Sequence, residues 1–192
     1  MENKNRKSVS ELRYAMNDNS VAQKLISGLY DAGTFAQLGA YMKKNTTKAD
    51  EGDKASDFEG VITGYGAVDG RLVFAFVQDF SRMKGAVGEM HAKKIAALYE
   101  LAIKNSAPVI GVFDSAGAYV LEGVAALSGY GKIMNSVAKA NGIIPQIAVI
   151  AGVCAGTMAT IASMFDFVIA SKQNGEFYVN PPFITNCLIG KP

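Results

Sequence analysis

Two short runs of small residues are where this sequence could do chemistry: Ser115-Ala116-Gly117-Ala118 and Cys154-Ala155-Gly156-Thr157. Each follows an apolar stretch with strand composition and precedes residues of helical periodicity. The first N–H groups of a helix have no intrahelical partner and carry partial positive charge, and residues without bulky side chains let a ligand oxygen reach them. Amides so presented can hold the oxyanion of an enolate or of a thioester carbonyl. The competing reading is packing alone, since small residues also let a helix lie close to a strand, and a lone turn of this type favours that reading.

Side-chain catalysts are scarce. The sequence holds one histidine, His91, on an expected helix, where a packed or solvated role outweighs a base or ligand. Cys154 stands where a nucleophile could, but no histidine lies downstream to activate it, and a buried structural thiol is the commoner case. Glu89 and Glu122 could form an acid–base pair, and both are equally explained as carboxylates near helix N-termini. Cys154 and Cys187 have no CxxC or Cys/His spacing, so no metal site and no disulfide framework is expected, and a reduced, cytoplasmic setting follows.

The elements that would position these residues read in order. Residues 1–20 are a loosely held polar arm, without the apolar core of a secretory signal. Val21–Tyr30 has its apolar residues on one helical face, and Lys43–Asp57 has no apolar period and reads as a surface loop. Val61–Tyr65 and Leu72–Val77 are strands joined at Asp69-Gly70, a hairpin dipeptide. A helix begins near Val87. Then come strand Val109–Phe113, helix Gly123–Lys139, strand Ile147–Ile150, helix Thr157–Ser163 and strand Phe167–Ala170. Val109–Ala170 holds only five charged residues, Asp114, Glu122, Lys132, Lys139 and Asp166. Strands this free of charge between helices are expected to be buried on both faces, an α/β arrangement.

The 192 residues suffice for one domain, and 49% hydrophobic composition supports a core. Formal charge is +2, with nine charges of each sign in residues 1–60, so no basic patch points to nucleic acid. The apolar stretch Ile143–Ala170 is interrupted by Pro145 and Asp166 and is not expected to span a membrane.

Longer runs carry a resemblance. Phe58-EGVITGYGAVDGRLVFAFVQDF-Ser81, Gly85-AVGEMHAKK-Ile95, Ala107-PVIGVFDSAG-Ala118 with Glu122-Gly123, Ile144-PQIAVIAGVCA-Gly156 and Leu25-ISGLYDAGTFAQ-Leu38 resemble, in order and with matching gaps, the biotin-dependent carboxyltransferases of acetyl- and propionyl-CoA carboxylases. The similarity covers about residues 20–183. It implies a crotonase/ClpP-like ββα superhelix, an N domain over 21–192 that is truncated or split, and an acyl-CoA ester held there. It also implies a homologous C domain on another subunit or chain, carboxybiotin carried by a biotin carboxyl carrier, and a homo-oligomer. The absence of a downstream histidine argues against a ClpP-type hydrolase, and four cysteines for a zinc ribbon are not available.

By this resemblance the amides of Gly156 and Thr157 form the oxyanion hole, and Ala116, Gly117, Ala118, Gly85, Ala86, Cys154 and Ala155 line the substrate. The family's DSGGAR block is DSAGAY here, so Tyr119 stands for an arginine, Thr157 stands for a glycine, and the glycine pair before the His91 helix is Lys84-Gly85-Ala86 in register. The main reading is carboxyl transfer from carboxybiotin to an acyl α-carbon. The alternatives are a malonyl-, methylmalonyl- or glutaconyl-type decarboxylase subunit and a non-catalytic assembly half. The isolated chain is expected not to turn over, and Ile143, Ile144 and Phe183 are expected to be exposed.

Overall fold

The computed structural model describes residues 20–45 and 58–190. The arm, except Ser20, and positions 46–57 of the polar stretch lie outside the described residues. Ser20 accepts a hydrogen bond from the Gln23 amide at 3.2 Å and caps α1 (Val21–Leu29), whose Ala22 and Ile26 turn inward. Then come β1 (Ala36–Leu38), β2 (Val61–Val68) and β3 (Arg71–Gln78). Asp69 (φ 49°) and Gly70 (φ 73°) both take positive φ, the two-residue turn that matches strand twist and fixes the β2–β3 register.

Three strand–helix units follow. They are α2 (Glu89–Lys104) after β3, α3 (Val124–Ala140) after β4 (Val109–Ser115), and α4 (Thr157–Ser163) after β5 (Gln146–Ala155). The described chain continues with β6 (Phe167–Ala170), β7 (Glu176–Tyr178) and α5 (Pro182–Ile189). The sheet runs in order β1 to β6, antiparallel through β3 and parallel from β3 to β6, while β7 pairs parallel with the far end of β5.

Alternation along β3 divides the core. Phe74 and Phe76 join Ile95, Leu98, Phe113, Ile133 and Met158 beneath α2, α3 and α4, and Val73, Ala75 and Val77 join Ile26 and Tyr30 of α1 on the other face. Among the described residues that second face is covered by α1, and the expectation of strands buried on both faces holds for most of β4 and fails at β6, whose four residues are all exposed. Phe183 lies in helix α5, started by Pro182 at its first turn. One further expectation is corrected. Ile143 (60% exposed) and Phe183 (73%) are open to solvent, but Ile144 (3%) is buried under the end of α3. Among the described residues no helix is long and apolar enough to cross a membrane.

Candidate active site

Because β4 and β5 are parallel, their following turns emerge on the same edge of the sheet, with Ser115 in register with Cys154. Just before that point β5 bulges, so that Ala151, Gly152 and Val153 face the single residue Asp114. Asp114 Oδ1 accepts a hydrogen bond from the Val153 amide at 3.2 Å, and a Cβ on Gly152 would lie 2.2 Å from that oxygen. A side chain there would displace the Asp114 carboxylate from this bond. A third segment runs beside the first turn: Ala116 N donates to Lys84 O (2.9 Å), Val87 N to Gly117 O (2.8 Å), Tyr119 N to Val87 O (2.9 Å) and Ser115 Oγ to Gly85 O (2.7 Å). A Cβ on Gly85 would lie 2.3 Å from the Asp114 carbonyl oxygen, so Gly85 is demanded by close backbone approach. This places Gly85 and Ala86, expected to line the substrate, beside the turn.

The amides do not fall as the resemblance assigns them. The Gly156 amide donates to the Tyr178 carbonyl at 3.0 Å, as part of the β5–β7 pairing, and is not free for an oxyanion. Ala116 N is taken by Lys84, and Gly117 N by Ser115 Oγ at 3.1 Å. Two candidate amides are left. Thr157 opens α4, whose first intrahelical bond runs from Thr160 N to Gly156 O, so its N–H is a first-turn donor. Ala118 lies between the two backbone bonds made to Val87, so its own N–H points away from that segment.

The first turn also does not lead straight into a helix. A 3₁₀ turn, Val120–Glu122, intervenes, and α3 starts from Gly123. Gly123 (φ 53°, ψ −122°) and Gly156 (φ 60°, ψ −127°) have nearly the same backbone, and neither helix has a side-chain cap. The repeated design therefore pairs Gly156 with Gly123, six residues beyond Gly117. A shared strand–turn–helix pattern could have shown this in the sequence, because Gly123 opens the helical periodicity as Gly156 does.

The Cys154 side chain points into the core, fully buried among Met158 and Ala159, and its thiol is pushed up to about 12 by that burial. It is neither a thiolate nor a group that lines substrate; only its backbone belongs to the turn. Ala155 lies opposite Tyr178. His91 is buried and held at about 3, by desolvation first and by Lys94 second, so it is neutral. Its Nε2 sits 3.3 Å from Gln78 Nε2, and Gln78 Oε1 accepts from the Asp114 amide at 3.2 Å. His91 steadies the end of β4 and cannot serve as a base.

Glu89 and Glu122 do not form an acid–base pair. Glu122 Oε2 accepts from the Glu89 amide at 2.6 Å and so caps α2, while the Glu89 carboxylate meets Lys93 (2.9 Å) and Asn45 Nδ2 (3.0 Å). Sequence reasoning missed Lys44, whose Nζ lies 3.3 Å from the Tyr119 hydroxyl and over its ring at 5.5 Å, and Tyr178, which occupies the Gly156 amide. Both contacts join distant chain segments and leave no local signal.

The carboxyl transferase domain family matches residues 15–192. The chain belongs to that family. It is 40% identical over 170 residues to the methylmalonyl-CoA decarboxylase subunit alpha of Veillonella parvula, covering 88% of this chain and 33% of that protein. To the propionyl-CoA carboxylase beta chain of Roseobacter denitrificans it is 37% identical over 161 residues, covering 84% and 32%. The structure superposes on transcarboxylase 12S, solved with hydrolysed methylmalonyl-coenzyme A bound, with a TM-score of 0.82 at 32% identity, covering 93% of this chain and 34% of that one. The fold is therefore the crotonase-like one expected, and this carboxyl transferase domain spans about a third of the length of the relatives it matches.

Proposed function

We propose that this carboxyl transferase domain holds an acyl-CoA ester and stabilises its enolate during carboxyl transfer to or from the acyl α-carbon. The observation that supports the proposal is that β4 and β5 end in register, so that the turns carrying the Ala118 and Thr157 amides leave from the same edge of the sheet. Around them the backbone is open to a ligand. A Cβ on Gly117 or Gly123 would meet no atom within 4 Å, and one on Gly156 only the Val179 oxygen at 3.9 Å. A biotin ring and a thioester both fit against backbone of this kind, with Gly117, Gly123 and Gly156 as the surfaces that would touch them.

Biotin on a carrier partner would supply the carboxyl group as carboxybiotin, or accept it as unmodified biotin. This chain's part is electrostatic. The Thr157 and Ala118 N–H groups donate to the thioester oxygen as negative charge gathers on it, and α4 aims its partial positive end at the same place. Neither His91, which is buried and neutral, nor Cys154, which keeps its thiol, moves the proton. The poverty of acid–base groups fits a reaction whose proton acceptor is not part of the chain. Decarboxylation of a malonyl-type thioester uses the same donors in the opposite sense, and the likeness to a methylmalonyl-CoA decarboxylase subunit supports keeping that direction.

A C-terminal counterpart domain, an oligomeric assembly and a cytoplasmic setting belong to this reading; two unpaired cysteines support the last. The test is calorimetric titration of the chain with acetyl-, propionyl- and methylmalonyl-CoA, followed by turnover assays with and without a relative's C-terminal region and biotin carrier. Binding of thioester without turnover alone, and turnover on complementation, is the expected result. Failure to bind any of the three sinks the proposal.

A further inference from the structure

We propose that a buried polar cavity behind the site holds one water molecule bridging Glu59 and Asp79. The cavity measures about 20 Å³, and its wall includes Glu59 just before β2, Asp79 and Arg82 in the loop after β3, Lys94 of α2 and Gln37 of β1. A water needs roughly 10–15 Å³ and two to four polar partners. Glu59 is 4% exposed and Asp79 2%, and each keeps one buried oxygen with no hydrogen-bond donor among the described residues: Glu59 Oε2 and Asp79 Oδ2.

The other atoms nearby have partners. Asp79 Oδ1 accepts from the Ser81 amide (3.1 Å) and hydroxyl (2.6 Å), while Oδ2 lies 3.6 Å from Arg82 Nε, an ion pair too long for a hydrogen bond. Lys94 Nζ donates to the Val61 carbonyl and has two further hydrogens. Two carboxyl groups and two cations line the wall, so the site carries no net negative charge and favours a neutral guest over a metal ion. Water supplies two O–H donors for two unmet oxygens, and its lone pairs accept from the ammonium. Burial raises the Glu59 carboxyl to about 7, with Glu122 adding to the rise and Lys94 opposing it, which agrees with an acid short of donors.

The position matters because Asp79 is the root of the loop that delivers Gly85 and Ala86 to the 115–118 turn. The water ties that root to α2 and to the start of β2.

A crystal structure of the whole chain at high resolution, from crystals soaked in rubidium chloride, tests this directly. A density peak within hydrogen-bonding distance of Glu59 Oε2 and Asp79 Oδ2, without rubidium anomalous signal, is the expected result. An anomalous peak there assigns a monovalent cation instead, and a cavity with no density, or one closed by side chains, removes the site; each overturns the proposal. In solution, deuterium relaxation dispersion should show one fewer long-lived water in Glu59→Leu than in the wild type, and no difference between two folded proteins also overturns it.

Discussion

At Thr157 the backbone and the side chain can be separated. If the amide is the working group, Thr157→Ala and Thr157→Gly leave the rate of the complemented enzyme within a few-fold, because both keep the N–H. Thr157→Pro removes it at the first helical position, where proline is tolerated, and losing one such donor costs roughly 100- to 1,000-fold in rate. The measurement is kcat after circular dichroism has shown that all three fold; equal damage from Ala and Pro would put the function on the hydroxyl. Glycines give a second contrast. Gly85→Ala drives a Cβ to 2.3 Å from the Asp114 oxygen and should cost upwards of about 2 kcal/mol in denaturant unfolding, whereas Gly117→Ala, with φ 114° but open space, should cost only about 1–2 kcal/mol of backbone strain. A reversed order would show that the loop yields where the structure is tight. The motif letters revealed both glycines; which was needed for packing and which for access was hidden, since each answer lies in a distant strand.

Helix α2 starts at Gly88 without a side-chain cap of its own, and the missing acceptor comes from Glu122, far along the chain. A Cβ on Gly88 would lie 2.8 Å from Glu122 Oε2, so glycine admits the carboxylate. Glu122→Ala should therefore destabilise the domain by about 1–2 kcal/mol, as loss of a cap does, and Glu122→Gln by much less because its amide oxygen still accepts. Gly88→Ala should match the loss of Glu122→Ala, and the double variant should add little, because both break the same contact. Fully additive losses in urea titrations would refute the cap. Strands and helices of this core were legible because hydrophobic period is local. The start of α3 at Gly123 was legible too, whereas the 3₁₀ turn Val120–Glu122 before it was not, because three residues carry no period.

Across the molecule, buried charge makes stability depend on pH. The Glu59 carboxyl stands at about 7 against an ordinary 4.5, so the folded state holds its proton more tightly. Its contribution, on the order of 3 kcal/mol at most, is present below about 4.5 and lost as pH rises through 7. His91, held at about 3, acts in the opposite sense, losing stability as pH falls below its ordinary 6.5. The two overlap, so the difference between wild type and Glu59→Gln is the quantity to follow. Wild type should lose stability relative to the variant between pH 4.5 and 7, and a flat difference would show that Glu59 titrates normally. The uncovered face is the other global feature. Phe167 and Ile169 of β6 and Phe183 and Leu188 of α5 are exposed apolar side chains, and the isolated chain should self-associate and bind an apolar dye. Phe167→Lys with Ile169→Lys should weaken both in sedimentation and fluorescence; unchanged association would place the sticky surface elsewhere.

By itself the sequence determined the principal strands and helices from β2 to β6, the Asp69-Gly70 hairpin, the scarcity of side-chain catalysts and the family, because periodicity, turn chemistry and motif spacing are written locally. The tertiary structure alone decided which amides are free. Gly156 loses its N–H to Tyr178 because β7 extends the sheet past β6, and Ala116 and Gly117 lose theirs to Lys84 and Ser115 because the loop after β3 folds alongside. A backbone donor has the same letter whether paired or open, so its availability is settled only when distant strands meet.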